Sequence, residues 1–192
     1  MSLYTPLLQH IQRYVSLTEE EITVLTTYLT PKKTKKKEFL FEQGKICTAN
    51  YFVAQGCYRL YYVNEKGIEN IVQFAIENWW IADYMSLEKQ MPSTCYLQSI
   101  ELGEVIALEK QVQEKLLQKV PKMERYFRIL AQHANAASQM RIKYISELSG
   151  EERYVQFTTS FPDFVQRIPQ YMLASYLGFT PEFLSKLRAK KR

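Results

Sequence analysis

Histidine, glycine and clustered cysteine are scarce in this chain of 192 residues. It has two histidines, His10 and His133, six glycines, and three cysteines that are far apart, Cys47, Cys57 and Cys95. Zinc, iron–sulfur and dithiol redox sites need such ligands in clusters such as Cys-x-x-Cys, so none of these sites is expected. We interpret the cysteines as small buried residues and expect no metal or other cofactor.

Long apolar runs and a secretory signal are also lacking. No run approaches the about 18 apolar residues that suggest a membrane helix, and the N-terminus lacks the basic, apolar and small-residue order of a signal peptide. These absences predict a cytoplasmic protein without a membrane partner. Hydrophobic residues make up 46% of the chain and aromatic residues 14%, a composition typical of a globular protein.

Positive charge is concentrated in two places. Residues 164–192 hold six basic residues and one acidic residue, which accounts for the whole net charge of +5. A basic C-terminal segment favours a polyanionic partner. The second place is residues 31–37, which contain five lysines. This run could be a nucleic-acid or membrane-surface patch, but a solvated strand edge is the interpretation we favour.

The pattern of residue types changes twice along the chain. Two short helices are predicted first, from a Thr-Pro pair at residues 5–6 and a capping box at residues 18–21. Residues 38–108 are rich in Tyr, Phe, Val and Ile and are interrupted by turn residues, which predicts strands at residues 50–54, 57–63 and 68–76. After Glu109 the pattern is helical. The predicted fold class is α+β, with an N-terminal β jelly roll and a small helical C-terminal domain.

A long helix is predicted over residues 121–147. Apolar residues recur in it at steps of three and four, which is typical of a dimer seam. Packing of this seam on its own domain is the alternative, and His133 is interpreted as a packed residue rather than a ligand. The predicted domains are a sensor at residues 1–120, a dimerisation helix at 121–148 and a DNA-binding domain at 149–192. The predicted seam consists of Tyr126, Leu130, His133, Ala137, Met140 and Tyr144.

The last segment has the pattern of a helix-turn-helix. Ala174 allows two helices to cross closely, and Gly178 suits the turn between them. Thr180 is a predicted N-cap, followed by Pro181 at the first helical position. An ordinary helical hairpin with a solvated basic end is the alternative. The predicted DNA-binding residues are Thr180, Pro181, Glu182, Phe183, Ser185, Lys186, Arg188, Lys190 and Lys191.

These motifs, in this order, resemble the cyclic-AMP receptor protein and fumarate–nitrate regulator (CRP/FNR) superfamily over essentially the whole chain. The resemblance rests on residues 39–44 (FLFEQG), residues 51–61 (YFVAQGCYRLY), the turn at residues 65–67 and the helix-turn-helix. It implies a cyclic-nucleotide-binding-like jelly roll, a long dimerisation helix and a winged helix-turn-helix. The wing itself is expected to be absent or to precede the helices.

The sequence departs from the family's cyclic-nucleotide binders where the nucleotide would be held. Their Gly-Glu-Leu and Arg-Ser-Ala elements correspond here to residues 82–84 (ADY) and 93–95 (STC), and no arginine occurs between Arg59 and Arg125. A buried cyclic phosphate needs a charge-assisted, preferably bidentate partner. We therefore expect that cyclic AMP is not the ligand. The candidate effector pocket consists of Asp83, Tyr84, Ser93 and Thr94, unless no ligand binds.

A jelly roll can also be an enzyme or a binding module that does not contact DNA. A jelly-roll enzyme of the cupin kind needs histidine ligands inside the barrel, but His10 and His133 lie outside the strand region, so we expect no enzyme. A jelly-roll module that binds a small molecule or a partner without DNA is the remaining alternative. The expected partners are double-stranded DNA, a second copy of the chain, RNA polymerase and an unidentified small-molecule effector. Where cyclic-AMP receptors read DNA with arginines, this chain has Pro181, Glu182 and Lys186, which predicts a different operator.

Overall fold

The computed structural model describes residues 3–189. The helices in this range are α1 (Thr5–Gln12), α2 (Glu19–Thr27), α3 (Tyr84–Lys89), α4 (Lys110–Lys119), α5 (Lys122–Glu147), α6 (Gly150–Ser160), α7 (Pro162–Arg167), α8 (Gln170–Leu177) and α9 (Pro181–Ala189). The strands are β1 (Leu29–Thr34), β2 (Phe39–Phe41), β3 (Ala49–Gln55), β4 (Tyr58–Val63), β5 (Glu69–Ala75), β6 (Trp80–Ile81), β7 (Tyr96–Ser99) and β8 (Gly103–Glu109).

The strands form two four-stranded antiparallel sheets. Their orders are β1-β8-β3-β6 and β2-β7-β4-β5. Apolar side chains from both sheets fill the space between them, among them Tyr51, Val53, Leu60, Leu97 and Val105. The crossovers between non-consecutive strands give the jelly-roll arrangement that the strand spacing predicts, and the α+β fold class is confirmed.

The β4–β5 hairpin is closed by the turn that the sequence predicts. The Asn64 side-chain oxygen accepts hydrogen bonds from the backbone N–H groups of Lys66 and Ile68, each at 3.0 Å. Gly67 has a φ of 75°, in the left-handed region where a side chain is strained. Polar turn chemistry and a glycine therefore set the register of the hairpin.

A close approach at the end of the sandwich requires a second glycine. A Cβ on Gly103 would lie 2.5 Å from the phenolic oxygen of Tyr58 and 2.8 Å from the carbonyl oxygen of Gln55. The Tyr58 side chain is fully buried, and its hydroxyl lies 2.7 Å from the hydroxyl of Thr34. Burial raises the pKa of Tyr58 to about 12.

The N-terminal helices pack on the outer face of the first sheet, together with α4 and the start of α5. Tyr126 of α5 is fully buried there. Its hydroxyl accepts a hydrogen bond from Trp80 Nε1 at 2.9 Å and lies 2.8 Å from His10 Nδ1. This polar chain ties α1, β6 and α5 together inside an apolar cluster.

Helix α5 leaves the sandwich after its third turn. Residues 131–140, a length of about 15 Å, are all exposed. Within residues 3–189, no helix has the length and apolar character needed to cross a membrane.

Helices α6–α9 form a compact group that returns to the sandwich. This group packs on the outer face of the β4–β5 hairpin, where Tyr61, Ile71 and Phe74 are buried beneath it. Its own buried residues are Tyr154, Phe164, Ile168, Met172, Leu173, Ala174, Leu177, Leu184 and Leu187. The predicted domain limits at residues 120 and 148 stay predictions, since one continuous apolar cluster spans the sandwich and the C-terminal helices.

Candidate DNA-binding surface and dimer helix

Helices α8 and α9 are joined by a tight turn. Gly178 ends α8 with a φ of 76°, and its N–H donates to the carbonyl of Ser175 at 3.1 Å. The Phe179 N–H donates to the carbonyl of Ala174 at 2.8 Å. Because the turn needs a left-handed residue, glycine at this position is explained by backbone conformation.

The start of α9 is capped as the sequence predicts. The Thr180 hydroxyl accepts a hydrogen bond from the Phe183 N–H at 3.2 Å, and Pro181 begins the helix. Glu182 lies in the first turn. Its own backbone N–H and the Thr180 side chain hold the pKa of the Glu182 carboxyl below its ordinary value. The carboxylate is therefore ionised at neutral pH.

Helix α9 has one buried face and one exposed face. Leu184 and Leu187 are buried against α8 and the rest of the helical group. The predicted DNA-binding residues on the other face are exposed: Thr180, Pro181, Glu182, Phe183, Ser185, Lys186 and Arg188. Lys190 and Lys191 lie outside the described residues. The arrangement presents a short helix with an acid near its start and bases near its end.

Phe183 has a packing role besides its exposure. Its ring lies 5.2 Å from the ring of Phe179, and a Cβ on Gly150 would lie 2.7 Å from its Cε1. Gly150 is the first residue of α6, after the Ser149 N-cap. The glycine therefore allows α9 to approach the start of α6 closely.

Hydrogen bonds of three side chains, Arg167, Ser175 and Arg141, join the helical group to the sandwich. The Arg167 guanidinium donates to the Glu77 carboxylate at 2.8 and 2.9 Å and also donates to Glu101. The Ser175 hydroxyl donates to the carbonyl of Glu69 and accepts from the N–H of Ile71, each at 2.9 Å. We call these residues the docking contacts, together with Arg141, which donates to the carbonyls of Val72 and Tyr176.

The electrostatics of the docking contacts favour ionised partners. Burial would raise the pKa of Glu77, but hydrogen bonds from Arg167 and from the Gly56 N–H outweigh it and hold the pKa below its ordinary value. The hydrogen bonds that Arg167 donates to the Glu77 carboxylate raise the pKa of Arg167. Arg141 also stacks on the Tyr176 ring, with its guanidinium carbon 4.2 Å from the ring centre.

The predicted dimer seam on α5 divides into two parts. Tyr126 was predicted to face a partner, and this is wrong, because the side chain is fully buried within its own chain beneath α1. The helical periodicity of the sequence does not distinguish the buried first turns of α5 from its exposed later turns. C-terminal to Tyr126, Leu130 and Tyr144 are half-buried, and His133, Ala137 and Met140 are exposed.

The four candidate effector residues cluster around the start of α3. The Asp83 carboxylate accepts from the N–H groups of Met85 and Ser86, and from the Ser93 hydroxyl at 2.6 Å. The Tyr84 hydroxyl lies 3.2 Å from the side-chain nitrogen of Asn50. Thr94 is exposed beside Ser93. Asp83 and Ser93 therefore bind each other, while Tyr84 and Thr94 retain exposed surface.

Comparisons with known proteins agree on one family. The family model described as "Cyclic nucleotide-binding domain" matches residues 31–120. The chain is 24% identical to an "Anaerobic regulatory protein" of Haemophilus influenzae, over 90% of this chain and 71% of that protein. It is 25% identical to the "Fumarate and nitrate reduction regulatory protein" of Vibrio cholerae, over 90% of this chain and 73% of that one.

Solved structures share the fold. FixK2 from Bradyrhizobium japonicum superposes with a TM-score of 0.71, at 16% identity over 84% of this chain and 83% of that chain. The regulator CLP from Xanthomonas campestris, described as c-di-GMP responsive, has a TM-score of 0.72 at 12% identity, over 90% and 91% of the two chains. The chain is therefore similar to regulators of the CRP/FNR type over nine tenths of its length. These relatives are transcription regulators rather than enzymes.

The resemblance to CRP/FNR regulators concerns the cluster at α3. By that resemblance, Asp83 and Ser93 are predicted to lie in the segments that correspond to the superfamily's nucleotide-binding elements. Here the Asp83 carboxylate accepts a hydrogen bond from the Ser93 hydroxyl. The single arginine of the strand region, Arg59, is buried outside the sandwich core and donates to Glu69 and Gln98.

Sequence reasoning missed the docking contacts. Arg167 and Ser175 gave no signal, because an arginine and a serine on helices are ordinary surface residues until the packing is known. Glu77 and Glu101 lie in loops of the sandwich, far from Arg167 in sequence. Only a pairing of charges between separate segments would have revealed them.

Proposed function

We propose that this CRP/FNR regulator works as a homodimer that reads a near-palindromic operator with α9. CRP/FNR regulators bind DNA, typically as dimers. The observation that carries the proposal for this chain is the free part of α5. Ten consecutive residues, 131–140, are exposed although they include four alanines and a methionine. Exposed apolar residues on a long helix are stabilised when a second copy packs against them.

The proposed seam is Leu130, His133, Ala137, Met140 and Tyr144. The small Ala137 between larger neighbours allows two helices to approach closely. Met140 is 43% exposed, so its contact with a partner buries apolar area that a monomer leaves in water. The His133 ring packs edge-to-face on Tyr14 of its own chain, at 6.0 Å between ring centres. His133 therefore lies at the edge of the proposed seam.

We propose that α9 enters the major groove. Glu182 can accept a hydrogen bond from cytosine, and Lys186 can donate to guanine. Thr180, Pro181, Phe183 and Ser185 share the exposed face and border these two residues. Arg188, Lys190 and Lys191 are assigned to phosphates, which strengthens binding without reading sequence. Two such helices in a symmetric dimer would enter successive major grooves about 34 Å apart.

The sensor domain is proposed to respond to something other than cyclic AMP. The space between the sheets is filled by the chain's own side chains, including Tyr51 and Tyr58. Asp83 and Ser93 satisfy each other, so no free polar group awaits a cyclic phosphate. We place the effector pocket at the surface around Asp83, Tyr84, Ser93 and Thr94, where Met85 and Met91 add exposed apolar area.

The domain division at residues 1–120, 121–148 and 149–192 is part of the same proposal. A signal in the sandwich would act through α5 and the Ser149–Gly150 junction by shifting the balance between two arrangements of the DNA-binding helices. A Gly150→Pro variant with unchanged DNA affinity and regulation would count against this route.

The deciding experiment is selection of bound sequences from a random duplex pool at fixed salt, with purified protein and no added ligand. We expect enrichment of an inverted repeat whose half-sites lie about one helical turn apart. If no sequence is enriched, the selection is repeated with a panel of small molecules. Failure in both formats would contradict DNA reading and leave the jelly-roll binding module as the function.

Two variants then separate reading from phosphate binding. Lys186→Ala should reduce discrimination between the selected and a scrambled site, with a loss of about 1–3 kcal/mol on the selected site. Lys191→Ala should weaken binding to both sites alike and reduce the salt slope by about 1. Equal effects from both variants would refute the division of roles.

A further inference from the structure

A small cluster of residues joins the end of helix α5 to the helix-turn-helix. It consists of Gly150 and Arg153 of α6, Phe179 of the turn between α8 and α9, and Phe183 of α9, and we call it the junction cluster. We propose that Arg153 is a positioning residue, which fixes the angle between α9 and α5 and thereby the half-site spacing that the dimer reads. The inference rests on the proposed function and deepens it by naming the residue that determines the spacing.

Arg153 contacts the C-terminal end of α5. Its Nη1 donates a hydrogen bond to the carbonyl of Ile145 at 3.3 Å. The last carbonyls of a helix carry partial negative charge, so a cation is favourable beside them. The last turn of α5 contains no basic residue of its own. Arg153 of the next helix therefore supplies this positive charge and joins α6 to α5.

The same guanidinium contacts the turn that precedes the recognition helix. Its central carbon lies 5.1 Å from the centre of the Phe179 ring, within the distance of a cation–π contact. The Phe179 ring lies 5.2 Å from the Phe183 ring in an edge-to-face arrangement. One arginine side chain therefore connects the proposed dimer helix to the turn from which α9 begins.

Gly150 brings the recognition helix itself against the same junction. A Cβ at this position would lie 2.7 Å from Cε1 of Phe183 and 3.2 Å from Cε1 of Phe179. Both rings therefore pack directly on the backbone of α6. Phe183 is the neighbour of Glu182, which is proposed to read bases. A shift of Phe183 on α6 would move the base-reading residues with it, because all of them lie on one short helix.

Packing alone does not explain an arginine at position 153. The Nε atom of Arg153 is buried, yet its N–H group has no hydrogen-bond acceptor among residues 3–189. A buried donor without an acceptor lowers stability. A methionine would place an unbranched side chain here without that donor. We therefore assign the arginine a role that uses its charge, at the Ile145 carbonyl and at the Phe179 ring.

In a symmetric dimer, the angle between α5 and α9 sets the separation of the two recognition helices. The two α5 helices pair at the two-fold axis, so a rotation of α9 about the junction changes its distance from that axis in both protomers at once. Each base pair added between two half-sites turns one of them by about a tenth of a helical turn relative to the other. A dimer with a fixed angle therefore accepts one spacing, whereas a dimer with a loose junction accepts several.

The test measures binding of the full chain to a series of duplexes. Each duplex carries the two selected half-sites as an inverted repeat, and the spacer changes by one base pair from one duplex to the next. A further duplex carries a single half-site. Arg153→Met removes the charge and the donors, and Arg153→Lys keeps the charge. Arg13→Met is the control, because Arg13 is an exposed arginine at the end of α1, outside the junction cluster.

We expect wild type and control to prefer one spacer, with affinity at least about tenfold lower when the spacer changes by two base pairs. In Arg153→Met this preference should fall to about threefold or less, because the recognition helices are no longer held at the matching separation. Arg153→Lys should keep the preferred spacer, since its ammonium group can still donate to the Ile145 carbonyl. Affinity for the single half-site should change less than about twofold in every variant, because α9 itself is unaltered.

Four outcomes overturn the inference. An unchanged spacer preference in Arg153→Met shows that Arg153 does not fix the angle. An equal loss on every duplex, the single half-site included, assigns Arg153 to the stability of the helical group, and a urea titration followed by circular dichroism would then show earlier unfolding. Sequence-specific binding by the wild type without a spacer preference overturns the inference and leaves DNA reading intact. Absence of sequence-specific binding by the wild type overturns the proposed function as well.

Discussion

Replacing Arg167 by glutamine should release the C-terminal helices from the sandwich before the sandwich itself unfolds. Arg167 makes three charge-assisted hydrogen bonds, to Glu77 and Glu101, across the boundary between these two parts. Glutamine keeps part of the side-chain length and one donor group, but it removes the positive charge and the paired N–H donors of the guanidinium. The substitution leaves both carboxylates next to each other without a cation.

The size of the effect follows from the exposure of the partners. Hydrogen bonds to charged groups contribute about 1.5–3 kcal/mol each when buried. Here the side-chain exposure is 29% for Arg167, 36% for Glu77 and 34% for Glu101, so water screens the interaction considerably. We expect a loss of about 2 kcal/mol in the stability of the helical group, with the sandwich core unchanged.

Two optical probes separate these parts. Both tryptophans, Trp79 and Trp80, lie in the sandwich, so their fluorescence follows that part, whereas far-UV circular dichroism also follows α6–α9. In urea at one fixed protein concentration, wild type should show coincident transitions. In Arg167→Gln the dichroism transition should begin at lower urea than the fluorescence transition. Arg13→Gln is the control, because Arg13 is exposed on the N-terminal part.

Coincident transitions with an unchanged midpoint in Arg167→Gln would refute the reasoning. The pH dependence of stability tests the contact between Arg167 and Glu77 in a second way. The pKa of Glu77 is depressed in the folded chain, so its contribution is complete above the ordinary value of 4.5 and is lost as the pH falls through the depressed value. Wild type should lose docking in that window, and Arg167→Gln should lack this dependence.

Three more predictions concern other parts of the chain. Met140→Glu should place a charge in the proposed seam and weaken self-association at least tenfold in sedimentation equilibrium, with a circular dichroism spectrum at high concentration as the folding control. Burial and Arg13 lower the pKa of His10 in the folded chain. The unfolded chain therefore binds more protons, and the free energy of unfolding should fall as the pH drops below the ordinary His pKa of 6.5. Thermal melts at a series of pH values should show this fall for wild type but not for His10→Gln. Gly103→Ala should cost about 2–4 kcal/mol in urea titrations, because its Cβ would meet the buried Tyr58 and a backbone carbonyl, and a cost below 0.5 kcal/mol would contradict this.

Local sequence signals predicted the elements well. Strands at residues 50–54, 57–63 and 68–76 correspond to β3, β4 and β5 within one or two residues. The predicted caps at Thr18 and Thr180 are present, and Pro181 begins α9. These features could be predicted because turns and helix caps depend on a few neighbouring residues, whose types determine the backbone conformation directly.

Features that depend on distant partners were not predictable in this way. The periodic pattern of α5 continues through Tyr126, but the pattern does not tell a partner's surface from the chain's own core. Tyr126 became a core residue because α1 and Trp80 cover it. Similarly, Asp83 and Ser93 were correctly placed near each other, yet their mutual hydrogen bond needed the structure.

The docking of α8 on β5 also limits how the regulator can move. Strand β5 lies at the edge of its sheet, and its outer backbone groups are taken up by Ser175, at Glu69 and Ile71, and by Arg141, at Val72. A swing of the helices away from the sandwich would expose an unprotected strand edge, the kind of surface on which chains aggregate. Any large opening is therefore tolerable only while another surface shields β5. Selection against aggregation would favour small rotations that keep the edge covered.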